Sequence, residues 1–318
     1  MIDINETPLY QGLYHGPEGK ELTVSLRTAP CRFNCTMCAW KSDYLEKIEE
    51  SDIVSQIEGV ISNYRHRIPE VEQFSFGNEG SVLDEKTLEL ETLLQITEIL
   101  RDIFPRISFE TQVAFITQKR IEALKKTTGD KPIEFTVGFE TSNSDIRQKV
   151  LKKGLPLSLF ERKIALLSKN NIFIRVYIML KPSPYMNEVE GIEDCVSSIE
   201  YLHDLGEKNG NPIVVHLNPA FILKGSKFEI MAKAQHYKPP TLWSLVEVLH
   251  RVRAFGMKFH LGLSIEGIEH RNGYIFGNCG TCDPLFLKEL KQYNKHHDLD
   301  RVIAQLPSCT CRPPFVTF

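Results

Sequence analysis

Glu21-Leu22-Thr23-Val24-Ser25-Leu26-Arg27-Thr28-Ala29-Pro30-Cys31-Arg32-Phe33-Asn34-Cys35-Thr36-Met37-Cys38 is the stretch on which the fold turns. Its first seven residues alternate between apolar and polar side chains, the period of a β-strand. The strand runs into three cysteines spaced C-x3-C-x2-C. Three thiolates on one short loop can hold three irons of a [4Fe–4S] cluster, leaving the fourth iron open to a ligand; iron–sulfur clusters are held by Cys thiolates. The competing reading is a structural zinc loop, but such a site normally wants four protein ligands.

Working outward, strands and helices alternate. The spacing predicts a helix over 52–64, then a strand over 71–76 ended by Gly77-Asn78-Glu79-Gly80. It continues with a helix over 86–102, a strand over 106–110, a helix over 118–126 and a strand over 132–139. Helices over 144–151 and 159–169 follow, then a β-branched strand over 172–180 closed by Lys181-Pro182-Ser183-Pro184. A helix over 188–205, acidic in its first turn, precedes a sixth strand over 212–217. Six strand–helix pairs imply a parallel α/β sheet, with a partial or full (β/α) barrel as its natural closure. In such barrels the chemistry sits at the C-terminal ends of the strands. Beyond residue 225 the alternation fades into a helix over 241–255 and a turn-rich tail. The expected division is a barrel over 1–225 and a small extension over 226–318.

The chain has 318 residues, 42% of them hydrophobic, and 38 Lys+Arg against 41 Asp+Glu give a net charge of −3. That composition excludes a disordered chain, a disulfide miniprotein and a strongly basic nucleic-acid binder. The N-terminus reads as no signal peptide and no apolar run reaches membrane-spanning length, so the expected location is cytoplasmic, without membrane attachment. Seven of the eight cysteines fall into tight groups, which in a reducing compartment favours metal ligation over disulfides. Cys279, Cys282, Cys309 and Cys311 supply four thiolates, enough to staple the extension around tetrahedral zinc or a second, auxiliary iron–sulfur cluster. Cys195 stands alone and reads as a buried small hydrophobe.

The C-x3-C-x2-C loop after the first strand resembles the signature of radical S-adenosylmethionine (SAM) enzymes. The resemblance implies that Cys31, Cys35 and Cys38 hold the catalytic [4Fe–4S] cluster, with SAM chelating the open iron. It implies reductive cleavage of SAM to a 5′-deoxyadenosyl radical for C–H abstraction. It also implies an electron donor such as flavodoxin or ferredoxin. Met37 corresponds to the residue that packs near adenine. Gly77, Asn78 and Glu79 resemble the Gly-Gly-Glu turn that binds the SAM amino group, with Asn78 departing from the pattern. Glu110, Glu140, Ser142, Arg147, Lys181 and Asn218, at or beyond strand ends, are the further cofactor contacts the resemblance suggests; Arg147 would pair with the SAM carboxylate.

Gly80-Ser-Val-Leu-Asp84, Val137-Gly-Phe-Glu-Thr-Ser-Asn143, Tyr177-Ile-Met-Leu-Lys-Pro182, Tyr237-Lys-Pro-Pro-Thr-Leu-Trp243 and the C-terminal cysteine pairs narrow the likeness. They are similar to the elongator-like branch and, within it, to the radical subunits of archaeosine synthases. That implies C–N bond cleavage in a lysine adduct of a 7-deazaguanine base in tRNA, with a lysine-transferring partner subunit. Two alternatives stay open: a radical SAM enzyme acting on a small metabolite or free base adduct, and a non-catalytic metal-binding or electron-carrying module. The slightly acidic chain carries no evident tRNA-binding module, because phosphate contacts require clustered Lys and Arg.

Overall fold

A computed structural model describes residues 4–38, 48–78, 80–263 and 275–318. One sheet of eight strands runs in sequence order. Strands β1 (Tyr10–Gly16) and β2 (Gly19–Ser25) form an antiparallel hairpin. From β2 the pairing turns parallel through β3 (Gln73–Gly77), β4 (Arg106–Thr111) and β5 (Ile133–Glu140). The order continues through β6 (Phe173–Leu180), β7 (Ile213–Pro219) and β8 (Phe259–Leu261), with β7 and β8 again parallel. Helices α1 (Glu50–Tyr64), α2 (Leu90–Arg101), α3 (Gln118–Thr128), α4 (Leu157–Lys169) and α5 (Glu188–Asn209) follow β2 to β6 in turn, the connectivity of a (β/α) barrel. Among the described residues no helix is long and apolar enough to cross a membrane.

The six strands expected from the sequence are all present, and two more join them. Hairpin strand β1 precedes the first expected strand. Strand β8 brings residues 259–261 of the C-terminal stretch into the same sheet. The tail also holds α6 (Lys227–Ala234), α7 (Leu242–Val252), α8 (Asp283–His296) and α9 (Leu299–Gln305). The helix expected over 144–151 is a single π-helical turn, Ile146–Val150. Asn294 of α8 pairs with the backbone of β8, accepting from the Leu261 N–H at 2.8 Å and donating to its carbonyl at 2.9 Å. The amide side chain thereby satisfies a strand edge that would otherwise be a liability.

The chain divides into two compact units, Met1–Phe33, Trp40–Gly138 and Ser158–Arg175 in one, and Asn34–Ala39, Phe139–Leu157 and Val176–Phe318 in the other. In the first unit one face of the sheet packs Phe74, Phe76, Phe109 and Phe135 as a buried aromatic row. The opposite face is polar. Arg175 donates to both oxygens of Glu21 at 3.0 and 2.9 Å and pairs with Glu134 at 2.9 Å; all three are buried. Gln73 and Ser108 donate to the same Glu134 oxygen. Removing one partner of a buried ion pair strands an uncompensated charge, which costs roughly 3–5 kcal/mol. Urea unfolding should therefore show Arg175→Leu losing stability on that scale, with part of the loss recovered when Glu21→Gln and Glu134→Gln are added. An unchanged midpoint in the single variant would mean the pairs contribute nothing.

Candidate active site and metal centre

In the first unit the loop carrying Cys31 follows β2. Arg32 is clamped to buried Asp84 by two charge-assisted hydrogen bonds, one of 2.7 Å from Nε, and its guanidinium lies 5.0 Å from the centre of the Phe115 ring. Phe33 meets the same ring edge-on at 5.9 Å. The Asp84 carboxylate raises the Arg32 pKa. The Gly80-to-Asp84 phrase thus anchors the cysteine loop.

Two glycines make room here. A Cβ at Gly80 would stand 3.0 Å from Cys31 Cβ and 3.2 Å from its Sγ, so the backbone passes the thiol only because residue 80 has no side chain. A Cβ at Gly77 would stand 3.1 Å from both Cβ and Oε2 of Glu110, whose side chain lies across the end of β3. Asn78 is buried; its Nδ2 donates to Thr87 Oγ1 at 3.1 Å and to the Ser81 carbonyl at 3.4 Å, which fixes the amide's orientation. Its Oδ1 has no partner among the described residues and lies 3.6 Å from the Gly80 Cβ position. A buried acceptor left unpaired is costly, so this atom is poised for a donor from a ligand. Glu79 lies outside the described residues.

In the second unit, Thr36 fixes the part of the loop that carries Cys35 and Cys38. Its N–H donates to the Leu151 carbonyl at 2.9 Å and its hydroxyl to the Val150 carbonyl at 2.7 Å; its own carbonyl accepts from the Phe228 N–H at 2.9 Å. Met37 packs on the apolar cluster of Ile146, Leu151, Ile222, Phe228 and Ala232. Cys31, Cys35 and Cys38 are all half-buried.

The other candidate contacts of this unit lie in internal pairs. Glu140, at a left-handed φ of 73°, forms a buried ion pair with Lys153 at 2.5 Å. Arg147 is fully buried; it donates to the carbonyls of Leu155 and Thr141 at 2.8 and 2.6 Å and to Ser144 Oγ at 3.0 Å, and burial lowers its pKa. Those bonds seat its fork on the loop after β5. The Lys181 ammonium meets Glu188 at 2.9 Å and the Lys238 carbonyl at 2.8 Å, 4.8 Å from the centre of the Tyr237 ring. The backbone N–H of Ser142 donates to Ser198 Oγ at 2.8 Å. Asn218 is half-buried on β7.

Asp194 of α5 accepts from Thr141 Oγ1 at 3.0 Å; burial pushes its carboxyl up to about 6, against the lowering effect of that bond. The folded state therefore holds this proton to higher pH than the unfolded chain does. Its contribution to stability falls as pH rises from the ordinary carboxylate range to about 6, and stays low above that. Asp194→Asn keeps an acceptor for Thr141 and removes the charge. It should raise Tm at pH 8 more than at pH 4.5, and equal shifts would refute the assignment. Neighbouring Cys195 is fully buried, and burial pushes its thiol up, so it stays protonated and inert.

The four C-terminal cysteines converge in the second unit. Cys279 Sγ lies 3.6 Å from Cys282 and 3.7 Å from Cys309, Cys282 lies 3.5 Å from Cys311, and all four sulfurs fall within 4.8 Å of one another. Two N–H groups aim at sulfur: Trp243 Nε1 at Cys311 and Asn278 Nδ2 at Cys282, each 3.4 Å away. The Cys279 thiol is held down to about 6, first by the Cys282 backbone N–H; burial pushes Cys282 up to about 12.

A sheet in sequence order, with a three-cysteine loop following its first parallel strand, places the chain in the class of α/β barrel proteins. A family model described as the Radical SAM superfamily matches residues 26–211, and the chain belongs to that superfamily. Archaeosine synthase subunit beta of Methanosarcina acetivorans is 27% identical over 290 residues, covering 89% of this chain and 80% of that protein. The protein of the same name from Thermococcus kodakarensis is 28% identical over 241 residues, covering 74% and 71%. Among solved structures, the archaeal Elp3 of Methanocaldococcus infernus, with an N-terminal deletion, shares the fold with a TM-score of 0.54 at 14% identity, covering 77% of this chain and 59% of that one.

Proposed function

We propose that Cys31, Cys35 and Cys38 hold a [4Fe–4S] cluster and that the chain binds SAM at its open iron. When bound, the cluster would supply the single electron for cleaving SAM to methionine and the 5′-deoxyadenosyl group that takes a hydrogen from the substrate. The observation that carries this reading is the Cys31–Asn78 neighbourhood. A thiol and an orphaned amide oxygen flank a spot that only glycine leaves open. Asn78 Oδ1, held by Thr87 and Ser81, suits the SAM ammonium, a strong donor. Glu110 supplies a carboxylate beside Gly77, and Glu79 is retained as a candidate of the same turn. Met37 keeps the third cysteine on its apolar support beside the adenine, and Ser142 and Asn218 remain candidate contacts. Glu140, Arg147 and Lys181 act as positioning residues through Lys153, the loop carbonyls and Glu188 respectively. Electrons come from a small donor such as flavodoxin or ferredoxin.

The substrate in this proposal is a lysine adduct of a 7-deazaguanine base in tRNA, cleaved at its C–N bond with a partner subunit supplying the lysine transfer. Its support is the pair of relatives named archaeosine synthase subunit beta. At Cys279, Cys282, Cys309 and Cys311 we propose one structural zinc ion, in an extension spanning 226–318. Zn–S bonds of about 2.3 Å give tetrahedron edges of about 3.8 Å, which the sulfur separations approach. In a four-iron cluster each thiolate takes a different iron, and the sulfurs must stand farther apart.

Anaerobic incubation with SAM, a reductant, the partner subunit and tRNA whose 7-deazaguanine base carries the lysine adduct tests the function. Mass spectrometry should find 5′-deoxyadenosine together with an amidine on the base. 5′-deoxyadenosine without change to tRNA would leave the radical chemistry and overturn the tRNA substrate.

A further inference from the structure

The last three strands carry a surface of which the assignments above use only Asn218. On β6, Val176 and Ile178 are fully buried, while Tyr177 and Met179 between and beyond them are half-buried. On β7, Val215 and Leu217 are fully buried, and His216 and Asn218 are half-buried. Parallel strands covered on both faces read as continuous apolar runs. Alternation of this kind means that one face is less completely covered than the other, although His260 on β8 is itself buried. His216 is the register partner of His260 on β8. Its ring meets Tyr177 at 4.7 Å and His260 at 4.5 Å, both edge-to-face, so the three rings form one continuous rung across three strands. Next along the strands, a Cβ at position 262 would fall 1.8 Å from Asn218 Oδ1 and 3.1 Å from His216 Nε2. Gly262 therefore lets the amide and the imidazole lie close over the chain at the strand end.

We infer that this wall, Tyr177, Met179, His216, Asn218, His260 and Gly262, binds the heteroaromatic base of the substrate. The inference rests on the proposed function and names the part of the site that takes the base. None of the six is an acid, lysine or arginine, so the wall suits an uncharged ligand. Phenol, imidazole and amide offer donors and acceptors to the edge of a flat heterocycle. The tyrosine ring and the methionine thioether offer apolar contact to its face. Proteins take up unstacked bases in this way, on aromatic or imidazole rings with hydrogen bonds to the base edge. The proposed SAM contacts draw mainly on residues that follow β2 to β5, which leaves this wall for the second reactant.

The test uses cluster-loaded protein holding SAM, with free 7-deazaguanine as the probe. Equilibrium dialysis should show its Kd rising at least tenfold in His216→Phe and in His260→Phe, and less than threefold in His216→Gln, which keeps a hydrogen-bonding group. On the unaltered protein, 7-deazaguanine should protect His216 from acylation by diethylpyrocarbonate, read by peptide mass spectrometry; this arm stands even if a variant misfolds. The inference is overturned if the base does not bind, if the phenylalanine variants keep the wild-type Kd, or if His216 is acylated equally with and without it. It is also overturned if 5′-deoxyadenosine, and not 7-deazaguanine, gives the protection, because the wall would then serve the cofactor. Formation of 5′-deoxyadenosine by the unaltered enzyme tests the radical reading separately, so the two failures are told apart.

Discussion

Cys35→Ala protein, reconstituted with iron and sulfide without air, should form no 5′-deoxyadenosine above background, a loss of at least about a thousandfold. It should also lack the broad visible absorption of an iron–sulfur cluster. Thiolates are the cluster's attachment to the protein, and a loop with three of them has no spare. Around Cys35 the loop is held by Thr36, whose backbone and hydroxyl bond to Val150, Leu151 and Phe228. An alanine leaves those bonds intact, so the variant should melt with the wild type. Loss of chemistry with normal melting separates a missing ligand from a collapsed loop. Cys31→Ala and Cys38→Ala should behave alike, whereas Cys195→Ala should keep its activity, because Cys195 lies in the core of α5 away from solvent. Full SAM cleavage by Cys35→Ala would remove the basis of the assignment.

What the sequence made legible follows from the range of the interactions involved. Strands such as β2, β3 and β5 are legible because apolar and polar residues alternate along them, and β6 because it is a short run of mainly apolar residues, both local signals. The cysteine loop was equally legible, since its ligands lie within eight residues of one another. β8 has only three residues, too few for a period to register, and its edge is satisfied by Asn294, 33 positions away. β1 was missed although Gly16-Pro17-Glu18-Gly19 is a turn signal between two alternating runs. The partners of the charged candidates are hidden for a related reason. A sequence shows that Glu140, Arg147 and Lys181 sit at strand ends or just beyond them, but not that Lys153, the Leu155 and Thr141 carbonyls and Glu188 already engage them. The Arg175 pairing with Glu21 spans 154 positions, and no pattern in the chain announces it. The rung of Tyr177, His216 and His260 is hidden in the same way: each residue reads alone as an ordinary aromatic or histidine until the sheet sets them side by side.

Stripping the proposed C-terminal zinc should destabilise the protein by several kcal/mol and lower Tm by about 5 °C or more. Structural zinc contributes folding free energy outright, and in a chain of this length each kcal/mol moves Tm by about 1.5 °C. The site ties together segments remote in sequence. Cys279 and Cys282 lead into α8, while Cys309 and Cys311 sit in the tail, whose Thr317 bonds to Glu247 of α7 through its N–H at 2.8 Å. Trp243 of α7 joins the two sides, packing on Phe286 at 4.5 Å and donating to Cys311. Without the ion, four thiols within 4.8 Å of one another lose the charge that makes thiolates at this spacing tolerable. Cys279→Ala and Cys311→Ala should therefore melt early even with excess zinc, and a chelator should bring the wild type to the same Tm. Metal analysis should return one zinc per chain in addition to the iron of the N-terminal cluster. Because α8 begins directly after Cys282 and carries Asn294, which satisfies the edge of β8, loosening the centre should also release that strand edge, raising amide exchange at Leu261 while SAM cleavage per folded molecule holds. Wild-type melting with selective loss of turnover would instead mark these four sulfurs as the holders of a second, catalytic cluster.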